Sequence, residues 1–95
     1  VLHGRDAGLT EVSFLYRHRD KATAATLDHA VLEIYGRGNN AYRWAGETDI
    51  WEAIAHARRE YAAHLSDDTV LRGFSMGGAG TWHLGLHHPD RFRVL

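Results

Sequence analysis

The chain has no cysteine, one proline and one methionine in 95 residues. Without cysteine this segment can build neither a disulfide framework nor a thiolate metal site, although the compartment stays open. No apolar run approaches the ~20 residues that a membrane span requires, and no signal-peptide pattern occurs. Charge of one sign is missing too: 11 Lys and Arg face 12 Asp and Glu, intermixed, for a net charge of −1. No basic stripe marks a nucleic-acid partner, and no polybasic arm marks a membrane surface. Repeats and low-complexity tracts are also absent. What the chain does have is 10 glycines, several of them gathered into two loops.

Val1-Leu2 reads as the tail of a strand and residues 3–8 as the loop leaving it. Residues 9–29 are ambiguous. Leu9, Val12, Phe14, Leu15 and Tyr16 have the spacing of a short helix, and residues 17–21 form a solvated charged stretch. Ala30 to Tyr35 is a short buried strand bounded by Gly36. A Gly- and Asn-rich loop follows to about Glu47. Asp49 and Glu52 have capping-box spacing, and Ile50, Ile54, Ala57, Tyr61 and Leu65 share one face, which predicts a helix over 49–64. A strand is expected over 69–74 and a helix over 76–87, ended by Pro89-Asp90. Strands separated by helices predict an α/β class, a parallel sheet with helices on both faces. The chain opens inside an apolar run, and Phe92-Arg93-Val94-Leu95 reads as the start of another strand. Residues 1–95 are therefore expected to be one fragment of a larger catalytic domain, cut at both ends.

The most informative stretch is Gly73-Phe74-Ser75-Met76-Gly77 between the predicted strand and helix. A serine at the apex of such a turn sits in a strained backbone with its Oγ held clear of the chain. Residues two before and two after must be small, because the flanking segments nearly touch. Gly73 and Gly77 meet that need. The bland reading is a glycine-rich turn carrying an exposed serine.

With GFSMGG, the trailing HPDRF, VLHGR at 1–5 and YGRGNNAYRWAGETD at 35–49, the chain resembles the nucleophile-bearing part of an α/β-hydrolase. The likeness is to prolyl-oligopeptidase-like and esterase-like serine hydrolases, and it extends over almost the whole chain. It implies Ser75 as nucleophile, with an orienting Asp or Glu and then a His base following it in the chain. His83 stands eight residues along the same helix, about 12 Å away at 1.5 Å per residue, so base and acid are expected outside these residues. The fragment alone is therefore expected to be inactive. The oxyanion hole would use the backbone N–H of Met76 and that of Arg5, in the loop after the first strand. Prolyl oligopeptidases proper use a tyrosine hydroxyl there; no tyrosine closely follows this loop, which favours esters over peptides. The substrate is a small molecule or peptide, with Tyr42, Arg43 and Trp44 as candidate cleft residues. No metal or organic cofactor is implied.

Gly36-Arg37-Gly38-Asn39-Asn40-Ala41 mimics a dinucleotide fingerprint, which would need a helix to open within it. Tyr42 to Gly46 intervenes instead. Equally open at this level is that Trp44 packs on the scaffold and Arg43 pairs with Glu47. His83 and His87 at i, i+4 lack the intervening Glu of a zinc-protease motif. His56 and His64 read as exposed, Trp51 and Trp82 as core anchors. Two rival functions stand beside the hydrolase: a non-catalytic binding module, and a nucleotide-binding oxidoreductase with a helix beginning at Asn39 or Asn40.

Overall fold

A computed structural model describes residues 1–19 and 29–95. Its regular structure is three helices, α1 (Glu11–His18), α2 (Ala45–Tyr61) and α3 (Met76–His87). The expected parallel sheet with helices on both faces is not formed. Among the described residues there is no β-strand, only three isolated parallel bridges, Leu2 with Ile34, Leu2 with Gly73, and Val70 with Val94.

Hydrogen bonding explains the difference. Leu2 N–H donates to Arg72 O at 2.9 Å and Phe74 N–H to Leu2 O at 3.2 Å, while Ile34 N–H reaches Val1 O at 3.2 Å. Leu71 N–H donates to Val94 O at 3.0 Å and Arg93 N–H to Thr69 O at 2.8 Å. Each pairing ends after one or two bonds, short of the evenly spaced ladder of a parallel sheet. The chain leaves the line at once on each side. Gly36 adopts φ 60 just past Ile34, and Ser75 adopts φ 54 just past Gly73 and Phe74. The segments expected as strands over 30–35 and 69–74 are thus extended connections, and Val70 stays 60% exposed. The result is a helical globule cross-braced by single bridges.

α1 begins at a capping box in which Thr10 Oγ1 accepts from Ser13 N–H and Ser13 Oγ accepts from Thr10 N–H, satisfying two otherwise orphaned donors. Of its apolar residues only Phe14 is buried. Of the expected charged stretch, Arg17 is exposed and pairs with Asp6, while Asp20 and Lys21 lie outside the described residues.

α2 starts four residues before the predicted Asp49. That aspartate caps nothing. It sits inside the helix and accepts a 2.8 Å bond from Arg37 Nε. The residue standing before the helix is Trp44, at φ 50 and ψ −118. α3 has the predicted bounds.

The core cluster gathers single residues from the segments other than α1: Leu2, Ile34, Tyr42, Ile50, Leu71 and Leu84. Fully burying each aliphatic side chain contributes about 1.5–3 kcal/mol. Trp51 packs partly against this cluster. Trp82 does not. It is 65% exposed, because α3 turns Gly77, Gly80, Thr81, Leu84 and Gly85 inward and Trp82 falls on the opposite side.

Candidate functional site

Ser75 stands directly before α3 at φ 54 and ψ −113, with no side-chain cap bond. L-residues rarely adopt that conformation, which costs on the order of 1–3 kcal/mol. It is held there by its surroundings. Gly77 N–H donates to Phe74 O at 2.8 Å and Ala79 N–H to Ser75 O at 3.1 Å, closing the turn from both sides. A Cβ on Gly77 would overlap the Leu2 carbonyl, and one on Gly73 would overlap the Gly77 carbonyl. Both positions therefore require glycine for close approach. Thr81 Oγ1 donates to Gly77 O at 2.9 Å inside the same contact. The serine itself is exposed.

The loop after Leu2 lies alongside. A Cβ on Gly4 would stand 3.5 Å from Ser75 Cβ. Arg5, Arg43, Trp44, Ser75 and Met76, with the 39–41 turn, line one open cleft of about 480 Å³. Five of the six expected site residues thus share a single surface. Met76 supplies the first N–H of α3, which has no intrahelical acceptor. Among the described residues neither that N–H nor the N–H of Arg5 has a hydrogen-bond partner.

Tyr42, the sixth, is placed elsewhere. It is fully buried and its hydroxyl donates to His3 O at 3.0 Å. Burial pushes its phenol well above the ordinary value. Tyr42 is a pillar beneath the His3–Arg5 loop, with its proton committed to a carbonyl. Trp44 is 79% exposed, so it does not pack on the scaffold. Arg43 does not pair with Glu47 either. That carboxylate instead joins His83 Nε2 at 2.9 Å and His88 Nε2 at 3.0 Å. The bond from His83, ahead of the one from His88, holds the Glu47 carboxyl below its usual range.

Sequence reasoning missed the two asparagines that shape the cleft. Asn39 ties the loops together: its Oδ1 accepts from Asp6 N–H at 3.0 Å and its Nδ2 donates to Asp6 O at 2.8 Å. Asn40 Oδ1 accepts from Tyr42 N–H at 2.9 Å while its Nδ2 donates to Gly36 O at 2.8 Å. The usable signal was the Asn-Asn pair itself. Asn amides bond nearby backbone and stabilise turns of this kind. Around them Arg37, Ala41 and Tyr42 all hold positive φ.

No histidine lines the cleft among the described residues. His3 turns both ring nitrogens to carbonyls, Nδ1 to Gly4 O at 2.7 Å and Nε2 to Tyr35 O at 2.8 Å. His56 and His64 are exposed on or just beyond α2. The helix required by a dinucleotide site does not open at Asn39 or Asn40, since α2 begins at Ala45. Among the described residues no group of three or more His, Asp or Glu is placed to hold a metal ion. No helix among them is long and apolar enough to cross a membrane. The chain matches no family model, no curated protein and no solved structure.

Proposed function

We propose that the protein is a serine hydrolase that cleaves a carboxylic ester through an acyl-Ser75 intermediate. The observation that carries this reading is the strained, exposed serine at the head of α3, sharing a cleft with two unpartnered backbone amides. A strained residue with no structural need for its side chain points toward function. The likeness of GFSMGG to serine hydrolases supports the same assignment.

Ser75 Oγ attacks the ester carbonyl carbon, and a general base takes its proton. The developing oxyanion is received by the N–H groups of Met76 and Arg5, each worth roughly 3–4 kcal/mol in such a site. Collapse breaks the bond to the leaving alcohol, which takes up the proton. Water then attacks the acyl-serine, releasing the carboxylic acid and restoring the hydroxyl. No such base lines the cleft among the described residues, so the reading requires one that reaches Ser75 from outside that lining. Ester cleavage is favoured over peptide cleavage because the Tyr42 hydroxyl is committed to His3 O.

A non-catalytic binding role is the second reading, favoured by the lack of His, Asp or Glu in the cleft lining among the described residues. A fluorophosphonate probe separates the two. The complete protein should be labelled and Ser75→Ala should not. Failure of the unmodified protein to react, or labelling that survives Ser75→Ala, rejects the hydrolase.

A further inference from the structure

The cleft beside Ser75 is lined by two arginines and, among the described residues, by no acid. Both arginines are exposed. Neither has a hydrogen-bond or ion-pair partner for its guanidinium among the described residues. Arg59 and Arg72 share that state among the described residues, but neither lines this cleft. Arg17 pairs with Asp6, Arg37 with Asp49, Arg93 with Asp68, and Arg91 covers the Trp51 ring.

The acids nearest in sequence to these two arginines are committed elsewhere. Asp6 follows Arg5 directly but binds Arg17. Glu47 stands four residues after Arg43, but Arg43 precedes α2 and Glu47 bridges His83 and His88. Two cations without a paired acid thus line the same cleft as the serine. A guanidinium presents a planar fork of donors that suits carboxylate and phosphate oxygens.

We propose that Arg5 and Arg43 select esters carrying an anionic group, a carboxylate or phosphate, within reach of the scissile bond. This rests on the hydrolase reading and names its substrate class. The role of Arg5 has two separable parts. Its N–H is assigned to the oxyanion and its side chain to the substrate's charge, so Arg5→Gln is read by the anionic-over-neutral ratio alone, and Arg43→Gln, at a residue with no part in the oxyanion hole, carries the comparison of absolute rates.

The test compares, in the complete protein, an aryl hemiglutarate with the aryl valerate of equal length, corrected for spontaneous hydrolysis. A phosphate-bearing ester and its neutral alcohol analogue form the second arm and identify the preferred anion. The expected ratio of kcat/KM, anionic over neutral, exceeds about tenfold in at least one arm, since hydrogen bonds to charged groups carry that much. Arg5→Gln and Arg43→Gln should each lower that ratio by about tenfold, and Arg43→Glu should bring it below one. Added salt should shrink the preference. A ratio near one in both arms, or an Arg43→Gln variant that slows charged and neutral esters alike, overturns the proposal while Ser75 labelling still stands. If turnover of both esters survives Ser75→Ala, the hydrolase reading fails, and this proposal fails with it.

Discussion

Trp44 and Ser75 hold nearly the same backbone conformation, φ 50, ψ −118 and φ 54, ψ −113, each directly before a helix and both on one cleft. Two residues with side chains in a region suited to glycine mean that the cleft is built under strain. At Ser75 the strain aims a hydroxyl. At Trp44 it holds an aromatic ring at the cleft, 79% exposed.

Because that ring has little packing to lose, Trp44→Gly should relieve strain and raise stability by up to about 1 kcal/mol, after the entropy glycine adds to the unfolded chain. Trp44→Ala keeps the strain and should stay within about 0.5 kcal/mol of the parent. Urea denaturation midpoints measure both. A glycine variant less stable than the alanine variant contradicts the strain argument.

Gly77→Val and Gly73→Ala should each abolish folding or remove at least about 3 kcal/mol, through overlap with the carbonyls of Leu2 and Gly77. Gly78→Ala is the contrast. Its Cβ would meet only Gly73 O, at 3.7 Å, so it should strengthen α3 by about 0.5–1 kcal/mol. Thermal melts of the three variants decide it, and a stable Gly77→Val protein would mean that α3 does not press against Leu2.

The cleft was more legible in the sequence than the fold. Glycines two before and two after Ser75 dictate a close approach that local chemistry can express, and Ser75, Met76 and the bounds of α3 followed from it. Arg5 came from the likeness of HGR to an oxyanion loop, and Arg43 and Trp44 were placed beside a sheet that does not form. The sheet did not follow, because Ala30 to Tyr35 and Thr69 to Phe74 have strand composition but pair at single points. Pairing length is a property of the partners, not of the run itself. The start of α2 was misplaced for a related reason. Asp49 looks like a cap by spacing, yet Arg37 claims it across the loop. Tyr42 could not be read as buried from a loop sequence, since its place depends on Gly36 and Gly80 opening room for its ring.

Tyr42→Phe should destabilise the protein by about 1–2 kcal/mol, because the His3 carbonyl loses a buried donor while the ring packing is kept. Chemical denaturation provides the value. A phenylalanine variant as stable as the parent would show that the loop after Leu2 does not depend on this bond.

Glu47 links α2 to α3 through His83 and to the residue after α3 through His88. Its folded-state pKa lies below the ordinary 4.5, so its contribution is present above that value and is lost as the pH falls through the lowered one. The stability gap between parent and Glu47→Gln should accordingly be widest near neutrality and close in acid. Paired denaturation curves across that range check the sign. A gap that widens in acid would reverse it.

The most direct measurement is to trap the complete protein with a slowly deacylating aryl ester, digest it and locate the acyl group by mass spectrometry. One acyl group is expected, on the peptide containing Ser75, appearing with a stoichiometric burst of released phenol. Steady turnover with the acyl group on another residue, or with no acylated peptide, would contradict it.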